Sequence, residues 1–216
     1  MMHDTTHRTR RRLLTMMGKA TAGLALYRGL DQAMPALAYG AEAPGKTLRV
    51  EAALTEQNVA PYGSMLGKPF PTQEGVVAFR TDQVASWRQT LFNAGKGGEV
   101  EIVWVNYKIT DPLISRLEQH SLTEQSVVPL TGDIIQILAL SGADGAPDAS
   151  TLRAFRLTPG IGINMARGVW HTTRSKGATC LMLTRGSTSV DILDHRKGKP
   201  LTETSVMNVA PIRLLN

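Results

Sequence analysis

Three of the chain's five histidines lie beyond residue 38, at His120, His171 and His195, and two of them stand in patterns with a chemical meaning. The first pattern is Glu118-Gln119-His120, followed by Gln125 and then Gly132. In a β-strand, residues two apart point to the same side, so Glu118 and His120 converge on one point. Gly132 permits a tight turn that brings the next strand back. The second pattern is Ala166-Arg167-Gly168-Val169-Trp170-His171. An imidazole titrates near neutrality and can act as base, acid or metal ligand.

The elements that must position these residues read as strands. From Leu48 onward, short apolar runs alternate with turn residues. Strands are expected at Val100–Tyr107, Ser126–Leu130, Asp133–Leu140, Leu152–Leu157, Thr179–Thr184 and Ser189–Leu193, separated by turn signals such as Thr131-Gly132-Asp133 and Pro159-Gly160. The run from Ile134 to Leu140 is nearly all apolar, which predicts a strand covered on both faces. Thr55-Glu56-Gln57-Asn58 opens like a short helix that Pro61 and Gly63 stop. From Asp82 to Asn93, Val84, Trp87 and Leu91 share one helical face and Gly95 stands at the stop position, so a second helix is expected there. The whole predicts an all-β barrel or sandwich with one or two short helices. No repeat, phosphate-binding loop or second domain is visible.

The 216 residues carry 24 Lys and Arg against 18 Asp and Glu, with one cysteine. This composition excludes collagen-like, low-complexity and disulfide-framework classes. Much of the +6 charge sits at the front, where residues 1–38 hold six cations and two acids, leaving 18 basic and 16 acidic residues beyond them. The rest is nearly balanced and has no basic stripe with interleaved aromatics, which argues against a nucleic-acid partner. Residues 1–38 run from a basic region through a weakly apolar stretch to small residues, the grammar of an export signal. Thr9-Arg10-Arg11-Arg12-Leu13-Leu14-Thr15 resembles the twin-arginine consensus, and the stretch that follows is interrupted by Lys19, Arg28 and Asp31, too polar to remain as a membrane span. Cleavage is expected after Ala38, with Ala41-Glu42-Ala43 as the alternative, giving a periplasmic or otherwise extracytoplasmic protein with no membrane association once the signal is removed. The expected organisation is a signal at 1–38, a domain at 48–193 and a C-terminal extension at 194–216.

The two histidine patterns resemble the paired motifs of the cupins, H-x-H-x(3,4)-E-x(6)-G and P-x-G-x-x-H. Glu118 stands for the first His, His120 for the second, Gln125 for the Glu, Gly132 for the Gly and His171 for the distal His, while Ala166 replaces the Pro. The resemblance implies a jelly-roll barrel in which Glu118, His120, Gln125 and His171 hold a divalent metal. Two imidazoles, a carboxylate and an amide suit a borderline first-row ion: nickel, manganese, iron or zinc, with an empty pocket as the alternative.

Segments 54–67, 117–133, 147–171 and 183–193 are more specifically similar to the ureidoglycolate lyase family. The most specific pieces are Leu117-Glu118-Gln119-His120, Asp148 to Phe155 and Gly168-Val169-Trp170-His171. The resemblance implies a homodimer that cleaves ureidoglycolate to glyoxylate and urea in allantoin breakdown. Such cleavage needs a base for the hydroxyl, a proton for the departing urea nitrogen, and a cation for the carboxylate. His120 and His171 are the expected acid and base, with Glu118 orienting one imidazole or ligating metal. The carboxylate partner is expected to be Arg153 or Arg167, and less so Arg185. Gln125 is a further substrate contact, and Trp170 either walls the pocket or belongs to the core. Family members carry a His where this chain has Ala166, and often a second His where it has Thr172. An exported small-molecule-binding cupin without catalysis is therefore the alternative.

Overall fold

The computed structural model describes residues 46–215. The expected signal at 1–38 lies outside them.

Thirteen strands and two helices follow one another in this region. Six strands close into a barrel: β1 (Lys46–Glu51), β13 (Thr204–Leu215), β6 (Leu113–His120), β11 (Trp170–Arg174), β8 (Ile134–Ala139) and β9 (Arg153–Leu157), in that spatial order. A five-stranded sheet lies against it in the order β2 (Gly63–Leu66), β10 (Gly162–Met165), β7 (Gln125–Thr131), β12 (Ala178–Arg185) and β5 (Val100–Tyr107). This is the mainly-β jelly-roll architecture that the alternating pattern and the cupin resemblance imply. The short helix α1 (Glu56–Val59) starts where expected, with Thr55 and Asn58 forming a reciprocal capping box.

Strand alternation divides the side chains into two compartments. Leu117, Ile137, Ala139, Leu152, Ala154, Trp170, Ile212 and Leu214 pack together as the buried barrel core. On β8 the residues alternating with these point toward the second sheet, as Gln136 does in reaching Met165 of β10. Ile134, Ile137, Leu138 and Ala139 of β8 are fully buried, so the expected two-sided cover of this strand is present. The turn after β7 depends on Gly132, whose φ is +68°, with the carbonyl of Gly177 where a Cβ would stand. It carries the chain from the five-stranded sheet into the barrel.

Two expected elements take other forms. In place of a helix over Asp82–Asn93, β3 (Ala78–Arg80) and β4 (Ala85–Trp87) make a hairpin. Thr81 accepts from the backbone of Gln83 and Val84 and closes the turn between them. Trp87 packs edge-on against Phe70 and donates to the carbonyl of Lys68, while Val84 and Leu91 are exposed. An apolar stripe stabilises a helix only when a surface receives it, and only Trp87 of this stripe finds one. The run Ser189–Leu193, expected as a strand, lies within the helix α2 (Gly186–His195), whose buried Thr188, Asp191 and Ile192 follow a helical spacing. So short an apolar run fits either period, and burial of that face decides it.

Residues 194–216, expected as an extension of the domain, contribute β13, the longest strand. It pairs antiparallel with β6 and parallel with β1, closing the barrel.

Candidate active site

Glu118 and His120 occupy the end of β6, and His171 is the second residue of β11, directly across from Glu118 in the register. Gln125 is the first residue of β7, so the first histidine pattern straddles both layers. The barrel supplies Glu118, His120 and His171, and the facing sheet supplies Gln125. The ligating atoms of Glu118, His120 and His171 all lie within 4.8 Å of one another, and the two imidazole centroids are 5.2 Å apart. His120, His171 and Gln125 are buried, whereas the Glu118 side chain keeps 18% of its surface and opens the cluster to solvent.

The hydrogen bonds differ between the two rings. Nδ1 of His171 lies 3.0 Å from the carbonyl of Val169. A carbonyl only accepts, so Nδ1 carries a proton, and in the neutral ring Nε2 keeps its lone pair. That Nε2 is buried without a hydrogen-bond partner among the described residues, and it lies 3.6 Å from Oε1 of Glu118. A lone pair facing a carboxylate is unfavourable unless a cation, either a proton or a metal ion, lies between them. His120 has partners on both sides: its Nε2 is 3.0 Å from the Gln125 amide nitrogen and its Nδ1 is 3.2 Å from Oγ1 of Thr204. Burial, reinforced by the neighbouring His171 and opposed by Asp191, brings the His120 pKa down to about 3, so this ring stays neutral at physiological pH.

These donors fit a divalent ion. Two imidazole nitrogens and one carboxylate oxygen converge, one nitrogen has no other partner, and the Gln125 amide, turned over, would present its oxygen.

The other expected residues do not join this cluster. Trp170 projects into the barrel core, away from His171, and its indole donates to the carbonyl of Gly145, so it is a core residue and not a pocket wall. Strand alternation requires this, because adjacent residues face opposite sides. Arg153 is ion-paired with Glu51 on β1 and lies two strands from His171, in register through Leu138. That offset is roughly 10 Å. Arg185 donates to the carbonyl of Ala94 and to Ser187, fastening the start of α2. Arg167 is exposed on a loop at the rim, and the next residue, Gly168, donates to the carbonyl of His120. Thr172 pairs with Ile137 of the barrel core, so the side chain at this position points away from His171.

Two contributors were not foreseen from the sequence. Thr204 contacts His120 across 84 residues, and Asp191 of α2 accepts hydrogen bonds from the backbone of Thr202, Glu203 and Thr204. No local spacing announces either contact.

Known proteins are similar to this chain at two levels. Among curated relatives, ureidoglycolate lyase 2 of Rhizobium meliloti is 26% identical over 160 residues, covering 68% of this chain and 91% of that protein. Ureidoglycolate lyase of Escherichia coli K12 is 41% identical over 58 residues, covering 27% of this chain and 36% of that protein. Among solved structures, a sugar 3,4-ketoisomerase from Thermoanaerobacterium thermosaccharolyticum aligns with TM-score 0.33 at 12% identity, over 57% of this chain and 91% of that one. The cupin domain of Drosophila melanogaster CENP-C aligns with TM-score 0.31 at 14% identity, over 52% of this chain and 76% of that one. The family model for ureidoglycolate lyase matches residues 46–180, more than half of the sequence, and the chain belongs to the ureidoglycolate lyase family.

Proposed function

We propose that this protein cleaves ureidoglycolate to glyoxylate and urea. The observation that carries this reading is the unpartnered Nε2 of His171, held 3.6 Å from the Glu118 carboxylate in a cluster shared with His120. Ureidoglycolate bears a hydroxyl and a ureido nitrogen on one carbon. Removing the hydroxyl proton lets the C–O electrons form the aldehyde as the C–N bond breaks, and the departing nitrogen takes up a proton. Nε2 of His171 is the base its fixed tautomer allows, and Glu118 stabilises the imidazolium so formed. The same nitrogen then returns the proton to urea, so no net proton is consumed. His120, neutral and buried, serves as a hydrogen-bonding wall together with Gln125. Arg167 at the rim is the remaining cation for the substrate carboxylate, because Arg153 is committed to Glu51. A divalent ion bound by Glu118, His120, His171 and a turned Gln125 would supply Lewis-acid polarisation of the substrate hydroxyl or carboxylate.

The deciding experiment is urea release from ureidoglycolate by purified protein, with elemental analysis of the same sample. Steady release that is lost in both His171→Ala and His120→Ala supports the reading. Absence of release from folded protein removes it.

The second reading is a binding cupin without turnover. The absence of an acid or base at Ala166 favours it, since Ala166 is exposed beside the site loop. Saturable binding of ureidoglycolate without urea release would decide for it. We further propose export through the twin-arginine route and assembly as a homodimer, readable from the N-terminus of protein isolated from its host and from light scattering.

A further inference from the structure

The two imidazoles meet different partners at Nδ1, and the difference has a consequence for how each can act. The Val169 carbonyl opposite His171 can only accept, so that ring is locked in one tautomer. The Thr204 hydroxyl opposite His120 can accept or donate, so it satisfies Nδ1 whether or not the proton is there.

Thr204 is itself held with unusual completeness. Oδ2 of Asp191 accepts from the backbone of Thr204 at 2.8 Å and of Glu203 at 3.1 Å, and Oδ1 accepts from the backbone and hydroxyl of Thr202 at 2.7 and 2.8 Å. On the neighbouring strand, both the backbone and the hydroxyl of Ser121 donate to the carbonyl of Glu203. The register places Thr204 directly opposite His120 at the start of β13. This segment is thus fixed from the α2 side by a carboxylate and from the β6 side by the strand ladder, and the one side chain it turns to the site is a hydroxyl facing an imidazole.

We propose that Thr204, clamped by Asp191, is a positioning residue for His120: it holds the ring in the cluster and lets its proton move between Nδ1 and Nε2 without leaving Nδ1 unpaired. With the proton on Nδ1, Nε2 accepts from Gln125 or from a substrate donor. With the proton on Nε2 and the Gln125 amide turned over to present its oxygen, the neutral ring donates to that oxygen or to a substrate oxygen while the Thr204 hydroxyl donates to Nδ1. His171 is then the fixed base and His120 the adaptable hydrogen-bonding partner. The catalytic consequence rests on the lyase reading; the structural one does not.

The test separates the two. Long-range 15N–1H spectra of 15N-labelled protein, recorded with and without chelator treatment, report the tautomer of each histidine in the resting state. Thr204→Val keeps the shape but removes the hydroxyl, and is expected to move His120 toward the Nε2–H form while His171 stays unchanged. Where urea release is measured, kcat should fall by about tenfold or more, as for other outer partners of site imidazoles, with KM nearly constant. Thr204→Ser should restore both the spectrum and kcat. A Thr204→Val protein that folds and shows the wild-type His120 signature overturns the proposal, whatever its activity. Should the wild type release no urea, the lyase reading fails and the spectra alone decide the role of Thr204. If Thr204→Val does not fold, Thr204→Ala gives the same reading.

Discussion

Nε2 of His171 and Oε1 of Glu118 face each other at 3.6 Å, while the Val169 carbonyl accepts from the proton on Nδ1 at the far side of the ring. Without a proton or metal ion between them, these two electron-rich atoms are held together by the fold at some cost to stability. Glu118→Gln should relieve it. The amide can donate to Nε2, and one new buried hydrogen bond contributes about 1 kcal/mol. The melting temperature should rise by roughly 2–4 °C for a chain of this size while urea release and metal content both fall. Calorimetry combined with elemental analysis checks the pairing of effects; a variant less stable than wild type would show that Glu118 already has its cation in the resting protein.

His171→Ala removes the only site nitrogen without another partner among the described residues. General-base catalysis contributes about 10²–10⁴-fold, so kcat should fall by that factor. Circular dichroism and thermal melts of the same sample must remain near wild type for the loss to be chemical.

Trp170 tests the division between core and site. It is 1% exposed within the barrel core, and its indole donates to the carbonyl of Gly145. Trp170→Phe should cost about 1–3 kcal/mol through the lost hydrogen bond and partial void, with KM unchanged. A KM increase at unaltered stability would instead place this side chain against the substrate.

The two arginines make a matched pair. Arg167→Gln should raise KM for ureidoglycolate with a smaller effect on kcat, because a rim cation contributes binding of a carboxylate that is present in ground and transition states alike. Arg153→Gln should leave KM near wild type, since its guanidinium is already occupied by Glu51. The reverse order of effects would relocate the carboxylate site toward β9.

Strand alternation made much of this site legible. Glu118 and His120 converge because they are two apart, and His171 joins them because a second motif of fixed spacing lies on a paired strand. The same rule turns Trp170 and Thr172 away from His171, although a motif match treats consecutive residues alike. The hairpin at β3 and β4 escaped because the helical stripe of Val84, Trp87 and Leu91 says nothing about whether a surface exists to receive it. Thr204 and Asp191 escaped for a different reason. Their roles depend on β13 returning beside β6, and a barrel closure made by the last strand leaves no local trace.

Asp191 carries the remaining prediction, in pH. Burial alone would raise its pKa above the ordinary 3.8, but hydrogen bonds from Thr204, Thr202 and Glu203 outweigh burial and hold it below that value. A carboxylate depressed in the folded state binds fewer protons there than in the unfolded chain. Its contribution to stability is therefore complete above the unfolded value and is lost as pH falls through the folded one. Asp191→Asn replaces one acceptor oxygen by an amide nitrogen, so at least one of the Thr202, Glu203 and Thr204 backbone N–H groups loses its acceptor, at about 1–3 kcal/mol when buried. The variant should be less stable than wild type at neutral pH, and the gap should narrow as the pH drops below 3.8, where the wild-type carboxylate protonates. Urea melts of both proteins between neutral and strongly acidic pH measure the gap directly. Parallel stability curves across that range would mean that the Asp191 charge does not hold the start of β13 in place.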